Sequence, residues 1–223
     1  MHGFYFITDA GLSRAGNLAD VQSALAAGVS VVQYREKQAN SLRLFEEARR
    51  LRAVCREALF LVNDRVDVAL AVEADGVHLG QQDLPCPVAR LLLGPHKIIG
   101  ITVSSLAEAR RAIREGADYL GVSPVFATGT KTDAGAPVGI QLLAAIREES
   151  AIPLVAIGGI TLDNAPRVIA AGADGLCAIS AVVSQADVAG EIAKFQNLFR
   201  ARRGLSRGPG VPRFPSGRED QAP

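Results

Sequence analysis

Few of the features that announce a function on sight occur in this sequence. Aromatic residues make up only 5% of its 223 positions, and there are three cysteines. Cys55, Cys86 and Cys177 lie far apart, form no C-x-x-C pair and have no histidine at a ligand spacing, which argues against a zinc finger or a disulfide scaffold. Three free thiols suit a reducing cytoplasm, with Cys55 in a helical pattern and Cys177 in an apolar strand as core residues. No apolar run approaches the roughly 18 residues of a membrane span. The stretch Phe4-Tyr5-Phe6-Ile7 has no basic region or cleavage site before it, which argues against a secretory signal. One-signed charge is lacking too: 24 Lys and Arg stand against 23 Asp and Glu, so no global field points to nucleic acid. There is no G-x-S-x-G, no H-E-x-x-H and no Ser-His-Asp order, which removes the common hydrolytic readings.

What is present describes a globular chain. It is 48% hydrophobic and 21% charged, long enough for a substantial core. The near-neutral charge is uneven. Residues 201–223 hold five arginines against Glu219 and Asp220, a net of +3, which leaves −2 on the first 200 residues. Residues 204–223 carry Gly and Pro at short intervals and few apolar side chains, so they are expected to form a disordered, solvated tail behind a domain spanning 1–203.

Short apolar runs alternate with amphipathic stretches throughout. Strands are expected at 4–8, 29–35, 58–63, 76–79, 97–102, 118–123, 153–158 and 175–180. Helices are expected at 18–27, 41–57, 66–73, 87–93, 104–115, 140–149, 163–171 and 187–201, the second opening on a Ser41 cap and keeping Leu44, Ala48, Leu51 and Cys55 on one face. Gly116-Ala117-Asp118 echoes Gly172-Ala173-Asp174, and Glu73-Ala74-Asp75 is a poorer copy. Each marks a helix end before a strand, a structural repeat at the strand starts. Apolar strands each followed by a helix imply parallel strands covered on both sides. Eight such units predict an α/β fold, a single-domain (β/α)8 TIM barrel. The competing doubly wound sheet would more often show a G-x-G-x-x-G turn after the first strand, which is absent.

In a barrel, function sits where strands end. The second strand closes with Gln33, Arg35 and Lys37 on one side. Two cations leaving an apolar strand call for an anionic partner, either a phosphate or diphosphate or local carboxylates such as Glu36. Asn63-Asp64 and Gly80-Gln81-Gln82-Asp83 end the next two strands. Asp64 and Asp83 on one rim suit Mg²⁺, although Asp64 pairing with Arg65 and Asp83 capping the turn before Pro85 are the plainer alternatives. Thr102 follows the fifth strand. A long loop with Thr128, Thr130 and Lys131 follows the sixth, and such a loop can wrap phosphate oxygens. Gly158-Gly159-Ile160 and Ile179-Ser180-Ala181 end the last two, where this fold often binds phosphate. His78 is expected to be held in the barrel by hydrogen bonds rather than to catalyse, and His2 and His96 are expected to be peripheral. Together these ends form two anion pockets, one basic and metal-assisted, the other neutral and built from backbone.

At these residues the chain resembles the thiamine-phosphate synthase family. The likeness runs from Tyr5-Phe6-Ile7-Thr8-Asp9 to about Ser184 and includes Gln33-Tyr34-Arg35-Glu36-Lys37, Val62-Asn63-Asp64-Arg65, Gly76-Val77-His78-Leu79-Gly80-Gln81, the 128–131 loop, Ala156-Ile157-Gly158-Gly159-Ile160 and Ala178-Ile179-Ser180. The resemblance implies a (β/α)8 transferase of thiamine biosynthesis. It would join 4-amino-2-methyl-5-hydroxymethylpyrimidine diphosphate to a thiazole phosphate and release pyrophosphate with Mg²⁺. It further implies that Gln33, Arg35, Lys37, Asn63 and Thr102 hold the pyrimidine diphosphate, that Asp64 and Asp83 are the Mg²⁺ ligands, and that Thr128 and Thr130 meet the thiazole phosphate. Lys131 would meet the diphosphate, and Gly159, Ile179 and Ser180 would close the thiazole-phosphate pocket. Arg35, Lys37 and Lys131 would neutralise charge growing on the leaving pyrophosphate as the C–O bond breaks, ahead of attack by the thiazole nitrogen. Gln82 departs from the family, where a carboxylate or serine is expected. The alternatives are a related thiazole tautomerase, which needs no diphosphate, and a non-catalytic protein that binds thiamine phosphate. The expected partners are small-molecule substrates, with no nucleic acid and no membrane, and a homo-oligomer is compatible with the sequence.

Overall fold

The computed structural model describes residues 1–130 and 135–205. Eight parallel strands close into a barrel in chain order: β1 (Gly3–Ile7), β2 (Val31–Tyr34), β3 (Leu59–Asn63), β4 (Gly76–Leu79), β5 (Ile98–Val103), β6 (Tyr119–Val122), β7 (Leu154–Ile157) and β8 (Gly175–Cys177). The ring is shut by β1 against β8, with Phe4 beside Leu176. Helices α1 (Asn17–Ala26), α2 (Ser41–Val54), α3 (Val66–Ala71), α4 (Cys86–Leu93), α5 (Leu106–Arg114), α6 (Gly139–Glu149) and α7 (Ala165–Ala170) follow the first seven strands. A short α8 (Ile179–Val183) and the long α9 (Val188–Leu205) follow β8. No helix among the described residues is long and apolar enough to cross a membrane.

The period-two alternation of each strand divides its side chains between two cores. Phe4, Phe6, Val32, Phe60, Val62, Val77, Ile99, Leu120, Leu154 and Leu176 face outward and pack under the helices. Tyr5, Ile7, Val31, Leu61, Tyr119, Val155 and Cys177 fill the inside of the barrel. Helix α2 keeps its expected face, with Leu44, Ala48, Leu51 and Cys55 buried. Its cap is Asn40 and not Ser41: the Asn40 side chain accepts from the Arg43 amide, while the Ser41 hydroxyl accepts from Arg65.

The repeated Gly-Ala-Asp segments build the strand-start end. After α5, the Gly116 amide donates to the Ile113 carbonyl and the Ala117 amide to Ala112. After α7, Gly172 and Ala173 repeat the pattern onto Ile169 and Val168. These are Schellman closures, and Glu73 makes the same one after α3 at φ 53°. The aspartates that follow reach back to the preceding strand. Asp75 accepts from the Phe60 amide at 2.8 Å, Asp118 from Ile99 at 2.7 Å and Asp174 from Leu154 at 2.9 Å. Each is also paired with an arginine of an even-numbered helix: Arg52 of α2, Arg90 of α4 and Arg147 of α6. At β2 the equivalent place before Val31 is Ser30, which has no carboxylate. There Gln196 of α9 takes over, accepting from the Phe4 amide and donating to the Gly28 carbonyl.

Most element ends lie one to three residues from expectation, α2 for example stopping at Val54 and β2 at Tyr34, and two differences matter more. β8 stops at Cys177, so Ile179 and Ser180 open α8 instead of ending a strand. Helix α9 runs to Leu205, past its expected end at Ala201, and the tail beyond it falls outside the described residues.

Candidate active site

The strand ends converge on a cavity at the opposite end of the barrel from the aspartate–arginine pairs. Its walls include Gln33, Arg35, Lys37, Asn63, Asp64, Asp83, Thr102, Thr128, Thr130, Gly159, Ile179 and Ser180, that is, every expected site residue except Lys131, which lies outside the described residues. Lining from all eight strands is what barrel closure achieves: residues more than a hundred positions apart face one volume. Gln82, His2 and His96 stay out of it; His2 packs edge-on against Phe199.

The basic wall follows directly after the end of β2. Thr8, fully buried, fixes the Arg35 backbone in both directions: its hydroxyl accepts from the Arg35 amide at 2.9 Å and donates to the Arg35 carbonyl at 3.2 Å. The guanidinium is 3.8 Å from Asp9, and the Lys37 ammonium contacts Asp64. Local carboxylates thus do face these cations, although they are Asp9 and Asp64 and not Glu36. Asp64 adopts φ 61°, a left-handed conformation that is costly for a residue with a side chain, and its amide donates to the His78 carbonyl across to β4. It does not pair with Arg65, which is taken by Asp67 and Ser41.

Asp83 caps its turn by accepting from the Gly80 amide at 2.6 Å, and it still lines the cavity. Burial raises its pKa above the ordinary carboxylate range, and the adjacent Asp64 carboxyl raises it further. Two carboxylates held this close, with one shared ammonium between them, are hard oxygen donors short of positive charge. Among the described residues no group of three His, Cys, Asp or Glu could hold a metal alone, so a cation here would need ligand oxygens to complete its shell.

The neutral wall depends on the glycine pair after β7. Gly158 and Gly159 sit at φ 99° and 61°, and a Cβ on either would come within 2.7 Å of Pro124 or 2.5 Å of the Ala127 carbonyl. The loop after β6 lies directly over them, with the Val125 and Phe126 amides donating to the Ile157 and Gly158 carbonyls. The pair therefore seats the Thr128–Thr130 loop as well as leaving backbone open to a ligand.

The family model described as "Thiamine monophosphate synthase" matches residues 4–182. The chain belongs to that family. It is 54% identical over 187 residues to a thiamine-phosphate synthase of Chloroflexus aurantiacus, covering 82% of this chain and 86% of that one. It is 53% identical over 186 residues to a thiamine-phosphate synthase of Moorella thermoacetica, covering 82% and 89%. Among solved structures, a thiamine phosphate pyrophosphorylase from Pyrococcus furiosus superimposes with TM-score 0.82 at 43% identity, covering 89% of this chain and 96% of that chain. A 3-hexulose-6-phosphate synthase at 16% identity and TM-score 0.67 shares the fold alone.

The floor of the cavity contains residues that the strand ends did not point to. Tyr5 of β1 and Tyr119 of β6 line it from deep inside the barrel, beside His78 of β4 and Cys177 of β8. His78 is hydrogen-bonded on both ring nitrogens, as expected of a histidine wedged in the barrel. The usable signal was alternation: Tyr5 and Tyr119 occupy inward positions, and Gly100 leaves space next to Tyr119 as Gly121 does next to His78.

Proposed function

We propose that the chain is a thiamine-phosphate synthase. It transfers the pyrimidinylmethyl group from 4-amino-2-methyl-5-hydroxymethylpyrimidine diphosphate to a thiazole phosphate, releasing pyrophosphate and, where the thiazole arrives carboxylated, carbon dioxide as well. The bond that breaks joins the pyrimidine methylene to the diphosphate oxygen. The bond that forms joins that methylene to the thiazole nitrogen, which becomes positively charged. No side-chain nucleophile is required. The observation that carries this reading is the meeting of a cationic strand end, a carboxylate pair and a glycine-seated hydroxyl loop around one cavity.

Each wall has a task. Arg35 and Lys37 face the diphosphate and offset the charge that develops on the leaving group, with Lys131 assigned the same task by family likeness; preorganised charge of this kind is commonly the largest catalytic contribution. Gln33, Asn63 and Thr102 hold the pyrimidine. Thr128, Thr130, Gly159, Ile179 and Ser180 hold the thiazole phosphate. The carboxylate pair fits Mg²⁺, the hard cation that one or two carboxylates and substrate phosphate oxygens share. Bound there, it would supply neutralising charge to the diphosphate oxygens. Asp64 and Asp83 would be its ligands, and Lys37, which contacts Asp64, would then be released to meet the diphosphate. Three buried free cysteines suit a cytoplasmic enzyme.

A thiazole tautomerase would have no use for Gln33, Arg35, Lys37, Asp64 and Asp83 together, and a binding protein would not need a reactive arrangement. The test is direct. Folded protein is incubated with both phosphorylated substrates, with and without Mg²⁺, and thiamine phosphate is sought by mass. Product that requires Mg²⁺ and falls sharply in Asp64→Ala and Asp83→Ala is expected. No product from folded protein overturns the synthase reading, and near-wild-type rates in both variants across a Mg²⁺ titration overturn the metal assignment.

A further inference from the structure

Inside the barrel, below the cavity, an unbroken chain of side-chain hydrogen bonds crosses five strands. Gln33 of β2 donates its amide nitrogen to the Tyr5 hydroxyl at 2.8 Å. The Tyr5 and Tyr119 hydroxyls are 2.7 Å apart. Tyr119 lies 2.7 Å from His78 Nδ1, and His78 Nε2 lies 2.8 Å from the Thr102 hydroxyl. Gln33, Tyr5 and Tyr119 are 2%, 3% and 1% exposed, so no bulk water intervenes in this half. Burial holds both phenols neutral, raising each well above its ordinary pKa.

The barrel is shaped around these rings. A Cβ on Gly100 would come within 2.4 Å of the Tyr119 ring and hydroxyl, and one on Gly121 within 2.9 Å of the His78 ring. Glycine inside a strand costs entropy and packing, so two of them on neighbouring strands, each beneath one ring of the chain, mark a close approach the fold has made room for.

A neutral phenol has one hydrogen to give, which makes the direction of the chain a matter of counting. Tyr5 receives a hydrogen from Gln33, so its own goes to Tyr119. Tyr119 then donates to His78 Nδ1, which leaves the hydrogen of the imidazole on Nε2. Thr102 accepts that hydrogen, and its own hydroxyl hydrogen is left for the cavity it lines. Gln33 gives one hydrogen of its amide nitrogen to Tyr5 and keeps its amide oxygen as an acceptor.

We infer that Tyr5, Tyr119 and His78 are positioning residues which fix the polarity of the pyrimidine site, making Thr102 a hydrogen-bond donor and Gln33 an acceptor toward the substrate. The matching ligand is a flat heteroaromatic ring with a donor on one edge and an acceptor on the opposite edge. An aminopyrimidine, with its amino group across the ring from a ring nitrogen, has that pattern. The inference rests on the proposed function for the identity of the ligand and on geometry alone for the order of the chain.

Two measurements test it. In the full-length protein labelled with ¹⁵N-histidine, His78 at neutral pH is expected to be a single Nε2–H tautomer, before any substrate is added. Tyr119→Phe removes the donor to Nδ1 and is expected to give mixed tautomers, with KM for the pyrimidine diphosphate raised about ten-fold and KM for the thiazole phosphate changed by less than about two-fold, the scale of one lost buried hydrogen bond. Tyr5→Phe, which cuts the chain one link earlier, is expected to loosen the His78 tautomer without touching its ring. A Nδ1–H tautomer or a doubly protonated ring in the wild-type protein overturns the inference. So does a Tyr119→Phe protein that keeps both the tautomer and the pyrimidine KM. A wrong tautomer in an enzyme that turns over removes this inference alone, whereas a correct tautomer without thiamine phosphate removes only the proposed reaction.

Discussion

The two ends of this barrel use the same residue types and treat them oppositely. At the strand starts, Asp75, Asp118 and Asp174 each meet one backbone amide and one arginine, so every carboxylate is matched on the spot. At the strand ends, Asp64 and Asp83 crowd one another and share Lys37, while Arg35 stands 3.8 Å from Asp9. One end is electrostatically complete. The other is held in a state that an anionic ligand and a cation would complete, the pattern expected where stability is given up for preorganised charge. The same contrast recurs in the backbone. The two described residues other than glycine with positive φ are Glu73 at the strand-start end and Asp64 at the cavity. Glu73 only closes a helix; Asp64 aims a carboxylate.

The sharpest way to break this comparison is at Asp64. Asp64→Asn keeps a side chain that tolerates the left-handed region and removes the charge. Its kcat/KM is expected to fall by about a hundred-fold or more, in the range seen for lost electrostatic stabilisation, while the melting temperature stays equal to or above wild type. A large loss of thermal stability would mean that the rim pair is structural after all. Asp75→Ala should do the reverse. Losing the acceptor for the Phe60 amide and the partner of Arg52 is expected to cost about 1–3 kcal/mol in urea unfolding, with kcat/KM at 25 °C unchanged. Reduced catalysis at full stability would erase the division between the ends.

Glu73→Gly sharpens the comparison further. Relief of the left-handed strain is expected to stabilise by about 0.5–1 kcal/mol, measured by the same unfolding curves, with activity intact. Asp64→Gly relieves the same strain and should still abolish turnover. The smallest effect is expected from Arg110→Ala, which removes the exposed ion pair with Glu149. Surface pairs of this kind contribute little, and a melting temperature indistinguishable from wild type is the expected result.

Much of this was legible in the chain itself. Eight apolar runs separated by amphipathic segments named the barrel because parallel strands buried on both faces must be short and continuously apolar. The rim residues were legible because Gln33 lies on the inward face of β2, and Arg35 and Lys37, which also line the cavity, follow directly after its end. Local hydrogen bonding was harder. Ser41 and Asn40 are both good caps, and only the backbone angle at Asn40, β-region with ψ 166°, decides which one serves. β8 was overextended because Ile179-Ser180-Ala181 is as apolar as a strand, yet its backbone turns into a helix immediately after Cys177. The tyrosines were missed because search along strand ends does not look at the barrel floor.

By itself, then, the sequence determined the number and order of the units, which face of each strand looks inward, and which residues stand at the rim, because these follow from periodicity along one segment. Tertiary structure decided everything that depends on distance between segments. It decided which arginine closes which aspartate, why Gly158 and Gly159 cannot carry side chains, and that Gln33 and Thr102 are joined through Tyr5, Tyr119 and His78. The physical reason is the closure of the ring. It brings residues 5, 33, 78, 102 and 119 within one hydrogen bond of the next, and no pattern read along a single strand contains that distance.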